Sequence, residues 1–240
     1  MNASMPFVHI GFAALTLIYF FIFISMLQKG IVRSALLQDR KKKLSTRIVI
    51  VFVLWIAFVS AWSLSGMMGD FSKFPLNAGP VFIIPLIISV VFTFSGSFTT
   101  VIQQIPMAHL LYLQSFRIFV ELLLWGLFVR GEAPIQMTFE GRNLDILTGL
   151  TALIVGFLAA RQKIGRTALI LWNIAGLALL INIVAVAILS MPTPLRIFTN
   201  EPSSIIVTHF PISWLPGFLV PLAYTLHFLS LRQLAKQKPG

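Results

Sequence analysis

The chain is written as apolar runs of about twenty residues separated by short polar stretches, a pattern that leaves few folds open. A hydrocarbon core roughly 30 Å thick is crossed by about 20 residues of helix at ~1.5 Å rise each. Within lipid every backbone N–H and C=O must find its partner inside the chain, so such a run folds as a helix. Hydropathy places seven spans at approximately 8–28, 47–68, 80–100, 108–129, 144–161, 167–191 and 213–233. The expectation is an all-α, polytopic membrane bundle forming one integral membrane domain over 1–240. With 58% hydrophobic and 10% charged residues and a mean hydropathy of +0.92, there is no room for a soluble domain.

A net charge of +11 raises the question of nucleic acid, which the placement of the charges answers. Lys29, Arg33, Arg40, Lys41, Lys42, Lys43, Arg47, Arg161, Lys163, Arg166, Arg232, Lys236 and Lys238 fall on one side of the expected membrane. Only Lys73, Arg130, Arg142 and Arg196 fall on the other. By the positive-inside rule the amino end lies outside and the carboxyl end in the cytoplasm. The run Arg40–Lys43 then serves topology and contact with anionic lipid at the cytoplasmic face, at about 1 kcal/mol per charge near the surface. No nucleic-acid partner is expected. The amino end lacks a basic stretch followed by an A-x-A site and reads as the start of a retained first helix. No cysteine is present, which removes disulfides, thiolate metal sites and cysteine nucleophiles. The localisation expected is a multi-pass cell membrane, taken as a bacterial cytoplasmic one.

The fourth span, HLLYLQSFRIFVELLLWGLFV, carries the charges that matter most for function. Gln114, Arg117 and Glu121 lie within about 60° of one another at 100° per residue, a single polar stripe on an otherwise apolar helix. A charge near the bilayer centre costs on the order of 2.5–3.5 kcal/mol, so the stripe must face other helices or water. Arg117 precedes Glu121 by four residues, the weaker order for an intrahelical pair, so at least one is expected to bond to another helix, and both to find polar partners on helices three, six or seven. Counted from the helix ends, Arg117 lies in the inner half and Glu121 near the midplane, where a carboxylate is suited to proton coupling.

Other candidates are spread along the chain. Tyr224 and His227 in helix seven, three residues apart and at the depth of Arg117, are expected to join the stripe. Helix six holds Asn173 and Asn182 on opposite faces, with Asn182 the deeper and the preferred site residue. Helix three ends in hydroxyl residues from Thr93 to Thr100 suited to a wet cavity or to backbone bonding. The outer loop around Glu140, Asn143 and Asp145 reads as a lid, and Asn143 or Asp145 as the cap of helix five. Helix seven contains Pro216 and Pro221, each removing a backbone donor.

Pro80, Phe82, Pro85, Leu86 and Phe92 match Pro216, Phe218, Pro221, Leu222 and Phe228, all offset by the same interval. The offset suggests two parallel three-helix repeats with helix four as linker. This 3+1+3 arrangement resembles that of the SWEET sugar transporters, which would imply a central solute site. Their paired Pro-Gln motifs are absent here, and the charges sit on the linker. Retinal proteins share the topology, yet helix seven has no Schiff-base lysine.

No H-E-x-x-H, Walker glycine run or G-x-S-x-G occurs, so neither metal nor cofactor is expected, and no catalytic residue is assigned. The leading expectation is a small-solute or proton-coupled permease with a small-molecule or proton ligand at Gln114, Arg117, Glu121, Asn182, Tyr224 and His227. The alternative is a non-transporting sensor or assembly subunit, in which Arg117 and Glu121 lock helices together and the outer loops dock a protein partner. An intramembrane enzyme using Glu121 or His227 ranks third.

Overall fold

The computed structural model describes residues 7–236, and every regular element among them is helical. The long helices are α1 (Phe7–Arg33), α2 (Gln38–Leu64), α3 (Gly79–Phe94), α4 (Met107–Val129), α5 (Ile146–Ala160) and α6 (Arg166–Leu189). The last, α7, opens with a π-helical turn, Leu215–Leu219, that runs directly into Val220–Lys236. By length and composition α1, α2, α4 and α6 can each cross a membrane, while α3 and α5 are apolar but shorter.

Contacts at the helix ends define two ends of the bundle. At one, Arg166 Nε donates to Leu234 O, Arg232 Nη2 to Ser95 O, and Gln233 Nε2 to Ile105 O. The linkers after α3 and α5 therefore gather there with the end of α7, and this is the basic end. At the other, His9 Nε2 lies 2.8 Å from Glu132, Ser63 Oγ donates to Thr208 O, and Gln136 Nε2 donates to Ser190 Oγ. Burial raises the pKa of Glu132, but hydrogen bonds from His9 and Arg130 outweigh it and hold the carboxyl below its ordinary range. Lys238 lies outside the described residues.

The centre of the bundle is α7. It packs along α3, α4 and α6, and most of its side chains are buried. Pro221 has no N–H for the carbonyl of Gly217, and the indole of Trp55 on α2 donates to that oxygen at 2.8 Å. The outer faces of α1 and α2 show the opposite pattern: Ile18, Phe21, Ile50, Val53 and Leu54 are exposed, as suits helices bordered by lipid.

Several boundaries differ from those expected. The run Arg40–Lys43 is not loop but the first turns of α2, because Lys and Arg are good helix formers whose heads stay in water. Lys41 Nζ caps α1 by donating to Val32 O at 2.8 Å. Helix α3 ends at Phe94, so most of its polar run lies in the following turns, where Arg232 bonds Ser95 O and Thr99 Oγ1. Those groups serve a helix end rather than a cavity wall. On the internal repeat, α3 and α7 do pack together, and Ser89 Oγ meets Thr225 Oγ1 at 2.7 Å across the same 136-residue offset. The two halves differ in closeness: α7 lies along α6, whereas α3 and α2 approach less closely and share an apolar cluster that includes Val59 and Val81.

Candidate functional site

Helix α4 is two pieces, Met107–Leu113 and Phe116–Val129, joined through Gln114 and Ser115. Around the joint the backbone bonds tighten to a three-residue register, Gln114 N to Leu111 O and Arg117 N to Gln114 O. Gln114 sits at this turn and donates from Nε2 to Ala223 O of α7 at 3.1 Å. The joint is thus tied to the central helix, and the stripe above it points into the bundle.

Arg117 is 1% exposed, and its Nη1 donates to Asp145 Oδ1 at 2.7 Å and more weakly to Gly176 O of α6 at 3.4 Å. The bond to α6 is of the kind expected, but the ion-pair partner is the residue preceding α5 rather than a group on helices three, six or seven. This pairing needs a close approach of α4 and α5, which glycine provides. A Cβ on Gly149 would lie 2.8 Å from the backbone nitrogen of Ile118 and 3.2 Å from Cβ of Arg117. One and two turns further along the same seam are Ala152 and Gly156, the latter against the ring of Tyr112.

Glu121, 2% exposed, accepts from Asn143 Nδ2 at 2.6 Å. The same amide donates to Met137 O, while Asn143 Oδ1 accepts from Asp145 N at 3.1 Å. Asn143 therefore holds the turn before α5 and Glu121 together. The segment between α4 and α5 is not a lid above the bundle. Ala133, Met137, Thr138, Asn143 and Asp145 are buried, and the segment dips inward so that α5 starts deep. Only this inward path brings Asp145 to Arg117. Thr148, in the first turn of α5, donates to Asp145 Oδ1 at 3.4 Å.

His227 is fully buried, with Nδ1 2.9 Å from Asn173 Oδ1, and Asn173 Nδ2 donates to Leu169 O. The imidazole lies on Gly176, where a Cβ would come within 2.5 Å of its Cε1. Gly176 thus touches His227 through its Cα side and Arg117 through its carbonyl, so the two basic side chains are neighbours across one residue of α6.

A cavity of about 50 Å³ adjoins this cluster between α4, α6 and α7. Arg117, Glu121 and Asp145 line one part, and Val120, Ile183, Leu219 and Val220 are among the apolar side chains of the rest. Arg117 Nε and Nη2, Glu121 Oε2, His227 Nε2 and Gln114 Oε1 are buried without a hydrogen-bond partner. The volume suits a few waters at roughly 10–15 Å³ each.

The structure therefore gathers Gln114, Arg117, Glu121, Asn143, Asp145 and His227, joining two groups that the sequence placed at different depths. Three candidates lie elsewhere. Asn182 is on the exposed face of α6 and donates to Arg142 O, whereas Asn173 takes the inward place because it shares a face with Leu169, Gly176 and Leu180. Glu140 is at the surface, accepting from Trp125 Nε1 at 2.8 Å. Tyr224 packs at a tilt against Phe228 and does not line the cavity. Asn173 is the residue that sequence reasoning passed over and the glycines 149 and 176 are those it missed; their signal is the three-to-four spacing that puts them on buried faces. Among the described residues no group of three His, Cys, Asp or Glu side chains could hold a metal. A family model described as a domain of unknown function (DUF8737) matches residues 74–235, a stretch that includes every residue of this cluster. No curated protein and no solved structure matches the chain.

Proposed function

The chain belongs to the DUF8737 family, and we propose that it is a proton-coupled small-solute permease of a cell membrane, spanning it seven times with the basic end in the cytoplasm. One observation carries the reading. Two carboxyl groups, Asp145 and Glu121, accompany a single guanidinium at the buried centre of the bundle, where the neighbouring imidazole of His227 is held by Asn173 and by neither acid, with unpartnered atoms beside an internal cavity. An ion pair that only locks helices together needs one acid for each base. The second acid is a group that can take up and release a proton: protonated, it leaves Arg117 to Asp145; ionised, it attracts the free Nε and Nη2 of the same guanidinium. Exchange of the arginine between the two carboxyls would pull on α4, α5 and α6 at once. The tightened turn at Gln114 and the π turn of α7 beside Pro216 and Pro221 are the places where these helices can yield.

A cavity of about 50 Å³ has room for a few waters but not for a solute, so in this reading solute passage requires those helices to move. The same small volume favours the second reading, a non-transporting sensor or assembly subunit with a sealed polar lock. The two separate in reconstituted vesicles loaded with a pH-sensitive dye and screened against a solute panel. A permease shows pH-dependent uptake that Glu121→Gln abolishes while the variant stays folded in the membrane. Wild-type protein that moves neither protons nor any solute, together with a Glu121→Gln variant that fails to accumulate, supports the subunit reading and overturns the permease.

A further inference from the structure

At the basic end a groove of about 560 Å³ runs between α1 and the start of α4, away from the central cluster. Its polar rim is formed by Lys29, Arg33, His109 and Gln104, and its apolar floor by Ile22, Met26 and Leu113 among others. Lys29 and Arg33 are four residues apart, so both heads lie over the same face of α1 as Ile22 and Met26. Among the described residues neither cation has a side-chain partner, and no carboxylate lines the groove. The contrast with Lys41 and Arg232, whose heads cap helix ends, is direct. Unpaired cations over an apolar trough match a molecule with an anionic head and a hydrocarbon tail. The dimensions agree: from Tyr19 to Met26 the floor extends about 10 Å at ~1.5 Å per residue, much of one leaflet of a core roughly 30 Å thick.

We infer that this groove is a binding site for one acidic phospholipid, its phosphate held by Lys29, Arg33 and His109 and an acyl chain laid along the floor between α1 and α4. Such a lipid would fill the seam between the first helix and the helix that carries Arg117 and Glu121, and so brace α4. The inference uses the membrane-spanning reading of α1 and α4 but not the permease reading, so either can fail without the other. Arg40 and Lys42 lie outside the groove, on the solvated start of α2, where contact with anionic lipid is diffuse attraction to the membrane surface rather than a seat for one molecule, and they provide a control of equal charge.

Native mass spectrometry of the full chain, released from nanodiscs containing phosphatidylglycerol and phosphatidylcholine, reads the result directly. The wild type should retain one phosphatidylglycerol in preference to phosphatidylcholine. Lys29→Gln/Arg33→Gln should lower the retained fraction at least tenfold, while Arg40→Gln/Lys42→Gln leaves it within twofold. Ser25→Trp, which narrows the groove without removing charge, should also release the lipid. If both charge pairs lower retention equally, the attraction is a general property of the basic end and the site is refuted. Retention unchanged by Lys29→Gln/Arg33→Gln, equal retention of phosphatidylcholine, or displacement by millimolar inorganic phosphate with Ser25→Trp without effect, likewise overturns it. Thermal unfolding of each variant confirms that it is folded; should the charge pair fail that control, Ser25→Trp decides alone.

Discussion

Asp145→Asn should destabilise the protein by about 3 kcal/mol, the lower end of what breaking a buried ion pair costs. The side chains of Arg117 and Asp145 are 2% and 7% exposed and 2.7 Å apart, so bulk water cannot replace the lost charge. Asparagine keeps an oxygen for Arg117 Nη1 and for Thr148, which spares the hydrogen bonds. Glu121, one turn along α4, supplies partial compensation, and both facts place the value at the low end. For a chain of this size about 3 kcal/mol corresponds to roughly 6–12 °C in Tm. The decisive comparison is Arg117→Met/Asp145→Leu, which removes both charges and should recover most of the loss, because apolar side chains of similar volume often replace a buried pair without penalty. Unfolding in detergent, followed for the wild type, both single variants and the double variant, gives the coupling energy directly. A single-variant loss below about 1 kcal/mol would show that Arg117 is effectively solvated. A double variant no more stable than Asp145→Asn would show that the pair is not the unit that matters, and the reasoning would fail.

Other expectations follow from particular contacts. Gly149→Ala should cost about 1–3 kcal/mol by forcing α4 from α5, since the new methyl meets backbone rather than a mobile side chain; Gly165→Ala, with open space around it, should be near neutral by the same unfolding assay. Because the pKa of Glu132 is lowered in the folded state, its contribution is present above its unfolded value of about 4.5 and fades as pH falls through the folded one. Glu132→Gln should therefore lie below the wild type in Tm at pH 7, with the gap closing toward pH 3; a gap that widens on acidification contradicts the assignment. A topology reporter placed in the 161–165 linker should be cytoplasmic and one near Thr193 external, and the reverse result would overturn the orientation read from the basic residues.

The helical class and the apolar character of the long segments were legible without coordinates, because backbone in lipid has hardly any other way to satisfy its polar groups. So was the crowding of Gln114, Arg117 and Glu121 onto one face of α4, since helical periodicity alone places them together. What periodicity could not say is which face of the other helices turns inward. In a soluble protein the polar face answers that, but lipid is as apolar as a packed core, and Ile, Leu, Val and Ala surround α6 on every side. Choosing Asn182 over Asn173 was a choice by depth, and it went to the exposed face; packing against α7 makes Asn173 the inward one. The partner of Arg117 was hidden for a different reason. Asp145 reads as an ordinary cap next to an outer loop, and nothing local shows that the 130–145 segment folds inward. Its burial depends on Gly149 letting α5 approach Ile118, and on Asn143 reaching both Met137 and Glu121. These contacts join residues far apart in the chain through close helix packing, and only the tertiary structure brings them together.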